Sequence, residues 1–311
     1  KAVRDYVKLT LGRIILCHVI QKKGWLGVSK DSPWGTGDEQ FIRNLYLNAN
    51  ETQKSDFLES VLEPLFFDGF NTDRRSGGDL FECTVSGTVR IPYLNGGLFE
   101  QGRADGIKVS FPKDYFDDLL KFFSEYNFTI DENDPNEAQV GIDPEMLSQI
   151  FENLLEDNKD KGAFYTPKEI VQYMCQESLI AYLVEKTSLE EDRIRTFILK
   201  PYETVTVFTR AEQAMILNHL REVKICDPAI GSGAFPMGML NELVKCEETL
   251  VGELGNQEQS RSELKKHIIQ NNIYGVDIEK GAVDIARLRF WLSIVVDEEI
   301  PSPLPNLDFK I

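Results

Sequence analysis

The stretch Cys226-Asp227-Pro228-Ala229-Ile230-Gly231-Ser232-Gly233-Ala234-Phe235 decides how this chain reads. It predicts a buried strand end, a glycine turn and a helix start in succession, the arrangement that brings backbone amides against a small ligand. A dinucleotide-binding turn carries a third small residue at the last position of GxGxxG, where the helix closes on a pyrophosphate. Here that position holds Pro236, directly after Phe235. A ligand without a phosphate suits the turn better. S-adenosylmethionine is one, needing close approach at Gly231 and Gly233 but no pyrophosphate cradle. A strand-to-helix turn that binds nothing would use the same residues.

Two further stretches extend this reading. Ile273-Tyr274-Gly275-Val276-Asp277-Ile278-Glu279 predicts an apolar strand ending in a carboxylate. At the carboxyl end of a parallel strand, Asp277 can accept from both hydroxyls of a ribose, at about 1.5–3 kcal/mol per charged hydrogen bond. A strand-terminal acid is equally a helix-capping residue. The interval from Gly233 to Asp277 exceeds the roughly 20 residues usual in dinucleotide folds, and the polar segment Gly252–Lys266 is expected to supply an inserted loop and helix. The third stretch is Gly162-Ala163-Phe164-Tyr165-Thr166-Pro167, where Thr166 is expected to cap a helix that has Pro167 in its first position. Free amides at that N-terminus, with the Thr166 hydroxyl, would hold a carboxylate; a plain capped helix is the other reading.

Composition bounds the rest. The 311 residues, 42% of them hydrophobic, suffice for one large core or two modest ones, and two domains are expected. A formal charge of −17 and a pI near 4.7 oppose any nonspecific grip on a phosphate backbone, so nucleic-acid binding by this segment alone should be weak. Five scattered cysteines and three histidines show no disulfide framework and no metal-ligand spacing. With no apolar run near the roughly 20 residues of a membrane helix, a reducing cytoplasm is the expected location. The start at Lys1 without methionine and the Pro-rich end at Pro301–Pro305 lead us to expect an excised fragment.

Along the chain, helical spacing from Tyr6 to Val19 closes on Lys22-Lys23-Gly24, and further helices are predicted over Asp38–Leu47 and Thr52–Leu62. Alternation over Leu80–Ile91, broken at Gly87, predicts a short hairpin. Between Asp131 and Asp160 ten acids face one lysine, Lys159, which marks a solvated connector around an apolar helix at Pro144–Leu155. The expected domains are therefore 1–142, mainly helical, and 143–311, which is α/β with strands at Val223–Asp227 and Ile273–Ile278. Capping boxes are expected at Thr166–Glu169 and Thr209–Glu212. Asp117, Asp118 and Lys121 read as the wet face of a helix, no nuclease string of two acids and a lysine is evident, and Trp25, Trp34 and Tyr46 are expected in the core. Arg287 and Arg289 could reach a phosphate, but solvent or an ion pair is the expected place of each.

In order, GAFYTP, DPAIGSGAF, and GVDIE followed by ARLRFWLSIVVD resemble the γ-class N6-adenine DNA methyltransferases, and most of all the methylase part of bifunctional type II (IIS/IIG) restriction–modification enzymes. QKKGWLG (Gln21–Gly27) and IPYLNGGLFE (Ile91–Glu100) look like phrases from the amino-terminal half of those enzymes. The resemblance is strong over Asp143–Asp297 and looser before it. It implies a Rossmann-like methyltransferase core, here incomplete, with S-adenosylmethionine as cofactor. Phe164, Tyr165 and Thr166 would lie at its methionine end, and Asp227, Pro228, Ala229, Gly231 and Gly233 would line it. Asp277 would take the ribose diol and Ile278 would lie against the adenine.

The reaction implied is methyl transfer to the exocyclic amine of a flipped adenine, whose lone pair is localised by acceptors from an Asn-Pro-Pro-Tyr/Phe loop. This sequence contains no Pro-Pro. The chain is accordingly expected to bind cofactor without transferring a methyl group, and no residue of it is assigned a catalytic role. Double-stranded DNA would be met through the longer protein, and Mg2+ would enter only with a nuclease domain. Two other readings stay open: a noncatalytic interaction module of a phage-defence complex, and a methyltransferase acting on something other than DNA.

Overall fold

The computed structural model describes residues 2–106, 109, 111–125, 166–255, 259–308, 310 and 311. The chain divides into two compact units: Lys1–Phe151 with Glu298–Asn306, and Glu152–Asp297 with Leu307–Ile311. The connector, its helix at Pro144–Leu155 and the expected boundary at 142/143 lie outside the described residues.

The first unit is built on α1 (Ala2–Lys22), longer than the Tyr6–Val19 pattern suggested. From Gly12 to Gln21 every residue is buried, so the helix is enclosed on all sides and its polar residues need partners. Arg13 supplies the strongest set: Nε donates to the Leu98 carbonyl at 2.8 Å, and the two Nη atoms reach Asp105 Oδ1 and Oδ2 at 2.5 and 3.2 Å. Gln21 Oε1 accepts from the Ile42 amide at 3.0 Å, while its Nε2 meets His18 Nδ1 at 2.8 Å. Burial lowers the pKa of His18 to about 4.

Gly24 ends α1 with φ +65°, the Trp25 amide donating to the Ile20 carbonyl and the Gly24 amide to the Gln21 carbonyl at 3.2 and 2.8 Å. This is the double bond of a left-handed helix cap. The Gly24 carbonyl in turn accepts from Gly35 and Gly37, at 3.1 and 2.8 Å. A Cβ on Gly37 would lie 2.2 Å from the Leu26 carbonyl oxygen, so only glycine permits this crossing. QKKGWLG is therefore a scaffold phrase, and so is IPYLNGGLFE, whose Leu98 carbonyl receives Arg13.

Helices α2 (Phe41–Asn48), α3 (Glu51–Ser55) and α4 (Lys113–Glu125) complete the helical part. The helix expected over Thr52–Leu62 differs: α3 stops at Ser55, and the chain continues as π-helical turns at Leu58–Leu62 and Leu65–Phe70. The wider turn lets Leu58, Val61, Leu62, Leu65, Phe66 and Phe70 all reach the core. Strands β1 (Leu80–Cys83) and β2 (Gly87–Arg90) form the expected hairpin, paired Leu80 with Arg90 through Cys83 with Gly87. Gly87 opens β2 rather than breaking it. Trp25 and Tyr46 are buried, whereas Trp34 is half-buried beneath the Arg90 guanidinium, 4.1 Å from its ring centre. Asp117, Asp118 and Lys121 are exposed on α4. The Pro-rich tail, expected with the second domain, belongs to the first unit, where the Leu304 amide donates to the Leu94 carbonyl at 2.6 Å.

The second unit runs α5 (Lys168–Thr187), α6 (Glu191–Leu199), α7 (Pro201–Thr204), α8 (Arg210–Glu222), β3 (Ile225–Asp227), α9 (Ala234–Leu254), α10 (Arg261–Asn271), β4 (Ile273–Gly275) and α11 (Lys280–Asp297). Gly238 of α9 lets α5 approach closely, since an added Cβ would stand 2.6 Å from Val171 Cγ1 and 3.2 Å from Cys175 Sγ. Gln172 and Gln176 of α5 reach Glu242 Oε1 at 3.4 and 3.2 Å. Glu247, also on α9, is fully buried beside Arg221 at 3.3 Å, and burial raises its carboxyl to about 7.

Strands β3 and β4 pair in parallel, Ile225 with Ile273 through Asp227 with Gly275. β3 starts two residues later than expected, where the Asn272 side-chain amide donates to the carbonyls of Leu220, Arg221 and Val223 at 3.1, 3.1 and 2.9 Å in place of ladder bonds, and β4 ends at Gly275, three residues before the expected Ile278. The strand end is not buried as the sequence suggested. Ile225 and Asp227 are half-buried and Cys226 is exposed, in keeping with a strand that has one neighbouring strand among the described residues.

Candidate cofactor site

The site grows from the carboxyl ends of β3 and β4. Beyond the strands, pairing continues through the Val276 amide, which donates to the Asp227 carbonyl, and the Ile230 amide, which donates to the Val276 carbonyl, both at 3.0 Å. A Cβ on Gly275 would lie 2.3 Å from Ile230 Cδ1, so the glycine admits the turn against β4. The turn itself has left-handed backbone at Gly231, φ +52°, and Gly233, φ +86°. Gly233 is the N-cap residue of α9, and its Cβ would meet that of Ala286 on α11 at 3.1 Å. A Cβ on Gly231 would meet nothing within 4 Å, so this backbone faces open space.

Asp277 joins the two motifs. Its Oδ2 accepts from the Gly231 amide at 2.9 Å across 46 residues, and its Oδ1 accepts from the Glu279 amide at 2.8 Å. A carboxylate has about four lone-pair sites, so one on each oxygen remains for a ligand. Asp227 Oδ1 accepts from the Ala229 amide at 3.0 Å, tightening the turn. Pro228 and Ala229 are exposed, and Ile278, beside Asp277, is 101% exposed. A bare apolar side chain next to a half-buried carboxylate and an open glycine backbone suits a ligand with one flat apolar ring and one diol, and the residues present fit S-adenosylmethionine.

Thr166 departs from expectation. Helix α5 begins at Lys168 with Pro167 as N-cap, at ψ 144°, and no side chain caps it. Proline's fixed φ suits the cap position, which places Thr166 one residue before it, and the expected box with Glu169 does not form. The boxes at Thr209–Glu212 and Ser260–Glu263 do form. Phe164 and Tyr165 lie outside the described residues. The helix after Thr166 is nevertheless tied to the start of α9, where Cys175 Sγ donates to the Phe235 carbonyl at 3.5 Å. Burial pushes the Cys175 thiol up to about 12, which makes it unreactive.

Neither arginine of ARLRF reaches solvent freely. Arg287 Nη1 pairs with Asp308 Oδ1 at 3.0 Å, while buried Arg289 donates through Nη1 to the Ser232 carbonyl at 3.1 Å. The motifs alone do not mark Arg289 as part of the site, although its position three residues after Ala286 places it on the buried stripe of α11. Among the described residues no group of His, Cys, Asp or Glu could hold a metal ion. A cavity of about 280 Å³ lies in the first unit, lined by Lys54, Phe57, Phe111 and Phe116 among others. Its lining includes none of the candidate cofactor residues.

Comparison with known proteins agrees with the motifs. Residues 206–300 match the family model described as MmeI, DNA-methyltransferase domain. RM.MjaORFECS2P of Methanocaldococcus jannaschii, named as a putative type II restriction enzyme and methyltransferase, is 27% identical over 99% of this chain and 27% of its own length. The adenine-specific methyltransferase PglX of Lacticaseibacillus casei is 24% identical over 42% of this chain and 11% of its own. The fold is shared with the type IIL restriction–modification enzyme MmeI, solved in complex with DNA: TM-score 0.58, 18% identity, 93% of this chain and 33% of that one. This chain thus spans a third or less of the length of each of these proteins. Over nearly its whole length it is similar to the methyltransferase-bearing region of type II restriction–modification enzymes.

Proposed function

We propose that this chain is the cofactor-binding part of an S-adenosylmethionine-dependent DNA adenine-N6 methyltransferase within a restriction–modification enzyme, on a Rossmann-like core. The observation that carries the proposal is the hydrogen bond from the Gly231 amide to Asp277. It brings the glycine turn and the strand-terminal acid to one edge of the parallel strands, with open space over Gly231 and a bare Ile278 alongside.

In this reading Asp277 accepts from the ribose hydroxyls with its remaining lone pairs. Ile278 lies against the adenine, and Asp227, Pro228, Ala229, Gly231 and Gly233 line the cofactor. Thr166, with Phe164 and Tyr165, lies at the methionine end. When bound, the cofactor supplies the methyl group. Transfer to adenine is assigned to the longer protein, because the sequence has no Asn-Pro-Pro run to localise the amine lone pair. DNA binding is assigned there too, given the charge of −17.

The test is calorimetric titration of this chain with S-adenosylmethionine and S-adenosylhomocysteine. Binding in the micromolar range is expected, with no methylation of DNA by the chain alone. Absence of binding at millimolar ligand would overturn the cofactor assignment. Failure of the longer protein to methylate adenine would overturn the substrate assignment.

A further inference from the structure

Arg289 is 7% exposed, and its one hydrogen bond among the described residues runs from Nη1 to the Ser232 carbonyl at 3.1 Å. Among the described residues its Nε has no hydrogen-bond partner and no carboxylate forms an ion pair with it. An unpaired cation in a protein interior is costly, and a packed apolar side chain of similar size would stabilise the fold at least as well. Packing therefore does not explain the charge at this position.

The surroundings do. Arg289 stands one turn beyond Ala286, the residue that lies under Gly233, so α11 touches the turn at two successive points. The bound Ser232 carbonyl immediately precedes Gly233, the N-cap residue of the 21-residue helix α9, which has no side-chain cap. The helix N-terminus and a buried guanidinium thus put positive potential on one turn. Asp227 and Asp277 border the turn, but their carboxylates accept from the amides of Ala229, Gly231 and Glu279, not from Arg289.

We propose that Arg289 is a positioning residue: it fixes the glycine turn through the Ser232 carbonyl and makes the site selective for a ligand that carries a carboxylate, here that of the methionine moiety. This rests on the S-adenosylmethionine reading of the turn.

The test compares S-adenosylhomocysteine, which has the carboxylate, with 5′-methylthioadenosine, which lacks the amino-acid tail. Both are titrated into the chain as wild type, Arg289→Gln and Arg289→Lys. Arg289→Gln is expected to weaken S-adenosylhomocysteine tenfold or more and methylthioadenosine less than threefold, with Arg289→Lys restoring the first to within about threefold of wild type. The ratio of the two ligands within one variant is the readout, so a general loss of stability does not imitate it. Equal weakening of both ligands, or of neither, would overturn the charge role. If Arg289→Gln does not fold, the same ratio is read in Arg289→Met, which sets an apolar side chain of similar size in its place: a wild-type ratio there overturns the proposal. If wild type binds neither ligand, it is the cofactor reading itself that fails, and this inference falls with it.

Discussion

Replacing Asp277 by alanine removes two hydrogen bonds of different kinds. The bond to Glu279 at 2.8 Å is local, and water can take it over; the bond to Gly231 at 2.9 Å links segments 46 residues apart. A carboxylate–amide bond contributes about 1.5–3 kcal/mol, and the lower end applies because Asp277 is half-buried. We expect Asp277→Ala to lower the stability of the second unit by about 2 kcal/mol, and cofactor affinity by tenfold or more, since about 1.4 kcal/mol is one decade. Asp277→Asn keeps one carbonyl acceptor but sets an NH2 donor on the other side. It should cost about 1 kcal/mol in stability while weakening the cofactor nearly as much as alanine does. Denaturant unfolding and calorimetry on the same preparations separate the two effects. If Asp277→Asn lowered stability as far as alanine but left affinity unchanged, Asp277 would be a loop anchor and not a ribose ligand.

Other outcomes follow from the same structure. Gly37→Ala should destabilise the first unit by about 1–3 kcal/mol in denaturant unfolding, because its Cβ would press on the backbone oxygen of Leu26 at 2.2 Å. Thr209→Ala and Ser260→Ala should each cost about 1 kcal/mol through loss of a cap, whereas Thr166→Ala should leave stability nearly unchanged and weaken cofactor binding. The buried titratable groups predict opposite pH dependences. His18, lowered to about 4, binds its proton more readily when unfolded, so its contribution is full above pH 6.5 and lost as pH falls toward 4. Glu247, raised to about 7, releases its proton more readily when unfolded, so stability falls as pH rises from about 4.5 to 7. Glu247→Gln should flatten that fall, measured as unfolding free energy at about pH 5 and about pH 7.5; an unchanged slope would exclude Glu247 as its source.

The local geometry of the glycine turn and of the helix starts was legible because short-range chemistry fixed it. The glycines at 231 and 233 need left-handed backbone, Asp277 follows two residues after β4, and Thr209 with Glu212 makes a cap; each signal lies within a few residues of its effect. What escaped the sequence was long-range or ambiguous. Nothing near Asn272 signals that its side chain will replace strand pairing to Val223, nor that Asp277 will reach back to Gly231. Thr166-Pro167 offered two residues for one cap position, and the proline took it. In α1 nothing within the helix itself signals that the polar residues Arg13, His18 and Gln21 are buried. They are buried because Asp105, the Leu98 and Glu100 carbonyls and the Ile42 amide arrive from elsewhere in the chain.

The return of Glu298–Asn306 to the first unit, followed by Leu307–Ile311 in the second, makes both units discontinuous in sequence. A single cut in the connector would release neither as an intact body. Residues 1–151 expressed alone would leave the Leu94 carbonyl without the Leu304 amide, and a chain stopped at Asp297 would deprive the Gly275 amide of the Lys310 carbonyl. Dissection by truncation would therefore report the loss of a shared hem, not the properties of either half, and cleavage at two sites or circular permutation is the sounder way to take this protein apart.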